Sequence, residues 1–153
     1  MSGTLNVCKI RNAIAHLPFK LPEGWVIFGS SALVLNGVEG VETSDIDILV
    51  PCAETQVPTT SPVPGASIFH SERRLRQDLE GVLVDVSWGL LVWDGKEWCK
   101  VEVEKPVERD GLRYASLQDC MRLMRQFNRP KDSQRLSQLC SVKKKSDSKG
   151  RDW

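Results

Sequence analysis

The run DIDILV, Asp45–Val50, opens in strict alternation: Asp45 and Asp47 fall on one side of an extended chain, Ile46 and Ile48 on the other. That period of two predicts a strand with one buried apolar face and two carboxylates together on its opposite face. Upstream, WVIF (Trp25–Phe28) is a short apolar run and predicts a strand ended by Gly29. SSALVLNG then predicts a turn or two of helix, capped by Ser30 or Ser31 and closed at Asn36-Gly37. Residues 4–16 carry a weak helical stripe (Leu5, Cys8, Ile14), stopped by Pro18 and Pro22.

Downstream, Pro51 halts the second strand, and a stretch rich in Pro, Thr and Ser predicts a loop of about sixteen residues. SERRLRQDL reads as a short helix with Arg73, Arg74 and Arg76 on a solvated face, the alternative being that they reach phosphates or a nucleic-acid acceptor. GVLVDVSWG (Gly81–Gly89) is a third strand, and two extended pieces follow around an Asp94-Gly95 hairpin turn, with Trp93 and Trp98 as cross-strand partners. A helix begins at Ser116, where Asp119 three residues on makes a capping-box-like start. Pro130 lies in the first turn of a last helix. Helices and strands in this order predict a mixed α/β or α+β domain, a small sheet covered by helices.

Composition narrows the classes. Apolar residues make up 41% of the 153, which suffices for a core without a staple. The net charge is +1, but residues 143–153 alone carry five Lys/Arg against two Asp, so residues 1–142 are slightly acidic. A single domain over 1–142 and a disordered basic tail over 143–153 follow. An acidic body does not favour nucleic acid as the partner. The five cysteines are widely spaced with no CxxC pair, which argues against a disulfide framework or a structural zinc and for a reducing cytoplasm. The N-terminal residues lack a signal-peptide pattern, and no run is apolar enough to span a membrane. His16 and His70 have no partner at ligand spacing.

The chemistry concentrates in three places. Asp45 and Asp47 repel each other unless something neutralises them, and a magnesium ion is the direct solution. Asp85, in LVDVSW, supplies a third carboxylate if its strand lies beside Asp45–Val50. Gly29, Ser30 and Ser31 form a turn into a helix, a place where backbone amides receive phosphate. Together they suggest a nucleoside triphosphate held at the glycine and a metal held at the acids.

Phe28, Gly29, Ser30, Asp45, Ile46, Asp47 and Ile48 resemble the signature of the DNA polymerase beta-like nucleotidyltransferase superfamily. The segment YASLQDCMRLMRQFNRPKDSQRLSQL is similar to the helical end of small members akin to abortive-infection and toxin–antitoxin nucleotidyltransferases. The resemblance implies a minimal nucleotidyltransferase fold, with Asp85 as the third carboxylate and Arg129 and Lys131 beside the nucleotide. It implies a magnesium-dependent enzyme moving a nucleoside monophosphate from a nucleoside triphosphate to a hydroxyl-bearing acceptor. A homodimer or partner protein would complete the cleft of so small a chain. The alternative is a non-catalytic or regulatory member of a toxin–antitoxin-like pair.

Overall fold

The structure, a computed structural model, describes residues 5–150, with side chains through Cys140. By its contacts the chain forms two compact units, one ending at Cys120 and one beginning at Met121.

The first unit is built on a six-stranded mixed sheet in the order β4-β5-β2-β1-β9-β8, with a separate three-stranded sheet, β3-β6-β7. Its central strands are β1 (Val26–Phe28), β2 (Asp45–Val50) and β5 (Val82–Trp88). β4 (Arg73–Leu79) forms one edge, and β9 (Leu112–Ala115) and β8 (Pro106–Arg109) complete the other side. β2 runs antiparallel to β1 and parallel to β5, and β1 runs parallel to β9. The small sheet joins β3 (Phe69–His70), β6 (Leu91–Trp93) and β7 (Trp98–Lys100). This is the small mixed sheet flanked by helices that the sequence predicts.

Register divides the large sheet into two chemical faces. Ile27 pairs with Ile48, Ile46 with Val84 and Ile48 with Val86, and all five are fully buried. The opposite face carries Asp45, Asp47 and Asp85. Helix α1 (Val7–Ala15) is capped by Asn6, whose side chain accepts from the Lys9 amide at 2.9 Å. Helix α2 (Gly29–Leu35) contacts β1, β2 and β9, and Asn36 ties its end to β9 by donating to the Ala115 carbonyl at 2.9 Å. No helix or strand interrupts the chain between Val50 and Phe69, as expected, and the Trp98 indole pins this loop through the Thr60 carbonyl at 3.0 Å. Trp93 and Trp98 pair across β6 and β7 with ring centroids 5.5 Å apart.

One expectation about the sheet fails. SERRLRQDL is not a helix: Arg73–Leu79 is a strand hydrogen-bonded along its length to β5. Glu80 and Gly81, at φ 53° and 90°, make the tight turn between them, and Asp78 Oδ1 accepts the Gly81 amide at 2.9 Å. A second hairpin, β8–β9, turns at Asp110-Gly111 in the same conformation. Pairing with β5 satisfies the backbone groups on the inner side of this edge strand, and Leu75 and Leu79 supply apolar contacts on one face.

The second unit contains most of α3 (Leu117–Phe127) and all of α4 (Pro130–Gly150). At the start of α3, Ser116 Oγ accepts the Asp119 amide at 3.2 Å, the predicted capping arrangement. α4 continues as helix to Gly150, through part of the segment read as the basic tail. Residues 151–153 of that segment lie outside the described residues.

Candidate active site

Strand register brings the predicted acids to one place. Asp47 faces Asp85 directly across the parallel β2–β5 pair, and faces Phe28 across the antiparallel β1–β2 pair. Asp45, two residues back on the same face, is exposed at the start of β2, where Ser44 Oγ donates to its Oδ1 at 3.3 Å. Asp47 is half-buried and Asp85 is buried.

Gly29 follows Phe28 and therefore stands beside Asp47. Its φ is +72°, and a Cβ added there would lie 3.1 Å from Asp47 Oδ2. Both the conformation and the close approach require glycine. Ser30 is half-buried in the first turn of α2. Neither serine caps that helix, because the chain enters it earlier, with Phe28 at the cap position. Ser31 is buried and donates from Oγ to the Phe28 carbonyl at 3.3 Å, so its hydroxyl serves the backbone.

The structure adds two residues that the sequence reading set on a solvated helix. Arg74 Nε donates to Asp85 Oδ1 at 2.9 Å and Arg74 Nη2 to Oδ2 at 2.5 Å, while Arg76 Nε donates to Oδ2 at 3.3 Å. Burial pushes the Asp85 carboxyl up, but the Arg74 hydrogen bond and the charges of both arginines outweigh it and hold the group below the usual aspartate range. The Asp85 hydrogen bond lifts Arg74 above its ordinary value against the opposing effect of burial, and the charges of Asp85 and Asp47 add to it. Alternation over Arg74, Leu75, Arg76 and Gln77 was the available signal.

Arg129 and Lys131 belong to the second unit. Arg129 Nε donates to Asp132 Oδ2 at 2.6 Å and its Nη2 to Oδ1 at 3.1 Å, and the same carboxylate accepts the Arg129 amide at 3.0 Å. Asp132 is buried at the third position of α4, so this is the acidic half of a capping box with a guanidinium added. Lys131 is exposed.

Asp45 and Asp47 fit a hard dication, being oxygen donors on one face at the solvent edge. Asp85 fits only when the arginines leave it. Elsewhere, Asp94, Glu97 and Cys99 of the β6–β7 hairpin bring their ligand atoms within 4.8 Å of one another, close enough to chelate a metal. Asp94 Oδ1 also accepts the Lys96 and Glu97 amides at 2.7 and 2.8 Å, which closes the turn. Burial, then the hydrogen bond to Asp94, raises the Cys99 thiol. A cavity of about 410 Å³ takes in Leu49, two residues along β2 from Asp47, with Val26, Leu91, Lys100 and Arg113.

No family model and no curated protein matches the chain. Among solved structures, it is similar to a Thermotoga maritima protein described as a candidate nucleotidyltransferase. The likeness has a TM-score of 0.51 at 17% identity, over 89% of this chain and 91% of that one. The chain has a nucleotidyltransferase-like fold. At this identity the likeness shows the fold alone. No helix among the described residues is long and apolar enough to cross a membrane.

Proposed function

We propose that the chain is a magnesium-dependent nucleotidyltransferase, moving a nucleoside monophosphate from a nucleoside triphosphate to a hydroxyl-bearing acceptor. The observation that carries the reading is the in-register pair Asp47–Asp85 with Gly29 against Asp47. Asp45 and Asp47 hold the ion, and Asp85 completes the set. The ion, when bound, neutralises charge on the phosphoryl group in transfer. Gly29 and Ser30 present a turn without a bulky side chain to the triphosphate. The acceptor oxygen bonds to the α-phosphorus as the bond to the departing pyrophosphate breaks, and the hydroxyl proton passes to solvent. Asp85 ligates the ion and orients the acceptor oxygen. The cavity beside Leu49 offers the acceptor room on the order of a small ligand.

One observation favours the alternative, a non-catalytic member: Asp85 is already neutralised by two arginines. A panel of nucleoside triphosphates with and without Mg²⁺, scored for binding and for pyrophosphate release, decides between them. Binding that needs Mg²⁺ and is lost in Asp47→Asn supports the enzyme. A chain that ignores every nucleotide under both conditions refutes it.

A further inference from the structure

Asp85 is the most buried of the three acids, yet its oxygens are claimed by side chains from the edge of the sheet. Arg76 faces Asp85 across β4–β5, and Arg74 faces Ser87 one step along the same face. Arg73, between them and Glu72 in sequence, falls on the other face and lays its guanidinium over Trp88 at 4.9 Å from the ring centre. The Arg74 and Arg76 side chains are 52% and 57% exposed, against 9% for Asp85. The acid is therefore fixed in the sheet, while the guanidiniums reach it from solvent and can turn outward without breaking a strand pairing.

Charge points the same way. Across β2, β5 and β4 this face carries four carboxylates (Asp45, Asp47, Asp78 and Asp85) against the guanidiniums of Arg74 and Arg76, a net negative charge that is poor for a polyphosphate unless a cation arrives with it. Arginine's planar fork matches phosphate oxygens as well as it matches a carboxylate. An exchange in which the arginines move to phosphate while a dication moves to Asp85 leaves no buried charge unpaired in either state.

On the reading of the site given above, we infer that Arg74 and Arg76 are its polyphosphate-binding residues and that Asp85 is their resting partner. The arginines leave Asp85 for the phosphates, and the Asp85 oxygens then open to a dication. Metal and polyphosphate drive the same exchange, so each tightens the binding of the other.

The test uses the full chain and inorganic triphosphate, titrated calorimetrically with and without Mg²⁺. Asp85→Asn releases the arginines and tightens metal-free triphosphate binding by roughly tenfold, the scale of one charge-assisted hydrogen bond. Adding Arg74→Gln to that variant abolishes the gain. This double variant leaves neither Arg74 nor Asp85 as a charge seeking a partner, so circular dichroism should show it folded as the parent is. In the wild type, triphosphate tightens Mg²⁺ binding. Metal-free affinity unchanged in Asp85→Asn, or no triphosphate binding by any variant, overturns the inference. Pyrophosphate release from nucleoside triphosphates is scored in parallel. Triphosphate binding that follows the arginines with no release sinks the transferase reading alone. Release with a triphosphate affinity indifferent to Arg74→Gln and Arg76→Gln sinks this inference alone.

Discussion

Asp47 and Asp85 oppose each other in register on parallel strands, yet they are not equivalent. Asp85 is buried under two guanidiniums, whereas Asp47 is half-buried against a glycine with no side chain to offer. The charge of Asp47 acts on Arg74 as well, so the two acids share one guanidinium's field from different depths.

Gly29→Ala should lose roughly 1–3 kcal/mol of stability in urea unfolding, since alanine must hold a left-handed φ and press on Asp47 Oδ2. Metal-dependent nucleotide binding should fall with it. Full retention of both would show that the close approach is incidental.

The Asp85 carboxyl is depressed in the folded chain, so its contribution to stability is complete above the unfolded aspartate value, about 3.9. It should drain away as pH drops below that value toward the lower folded one. Unfolding midpoints measured from neutral pH into this acid range should therefore fall more steeply for the wild type than for Asp85→Asn. Parallel curves would deny the ion pair a role in folding.

Gly89 has φ +60°, and a Cβ there would run into Thr55 Oγ1 and lie 3.0 Å from Cys52 Cβ. Gly89→Ala should cost about 2–4 kcal/mol, combining backbone strain with steric overlap. Adding Thr55→Ala should return only the steric part, as read by chemical denaturation of both variants. Complete rescue would mean that the backbone strain is negligible.

Asp132→Ala removes the acceptor of the Arg129 amide and the partner of its guanidinium. A loss of about 1–3 kcal/mol is expected for the second unit, from the cap and the ion pair together. Helical content measured by circular dichroism during thermal unfolding should report it. If Arg129 serves nucleotide instead, Asp132→Ala should tighten nucleotide binding while stability holds.

Much of the fold was legible where a single local signal dominated. DIDI declared its own faces, Gly29 marked the end of β1, and Ser116 with Asp119 marked the start of α3. The strand over Arg73–Leu79 was obscured because three arginines on a short polar run suit a solvated helix as well as an edge strand. What settles the matter is pairing with β5, a nonlocal fact that no window of sequence contains. The Asp110-Gly111 turn carries the same local signal as Asp94-Gly95, Asp-Gly between extended runs. The same limit governed the site. The acids could be placed by alternation, but the arginines facing Asp85 required the register of β4.

That register hangs on the two-residue corner at Glu80-Gly81, where both backbones take positive φ. Because a strand's side chains swap sides with every one-residue slip, lengthening the corner by one would send Arg74 and Arg76 behind the sheet and bring Arg73, Leu75 and Gln77 to the front. The polarity of the acidic face is thus set by the length of a bend at the sheet's margin, not by any group on that face.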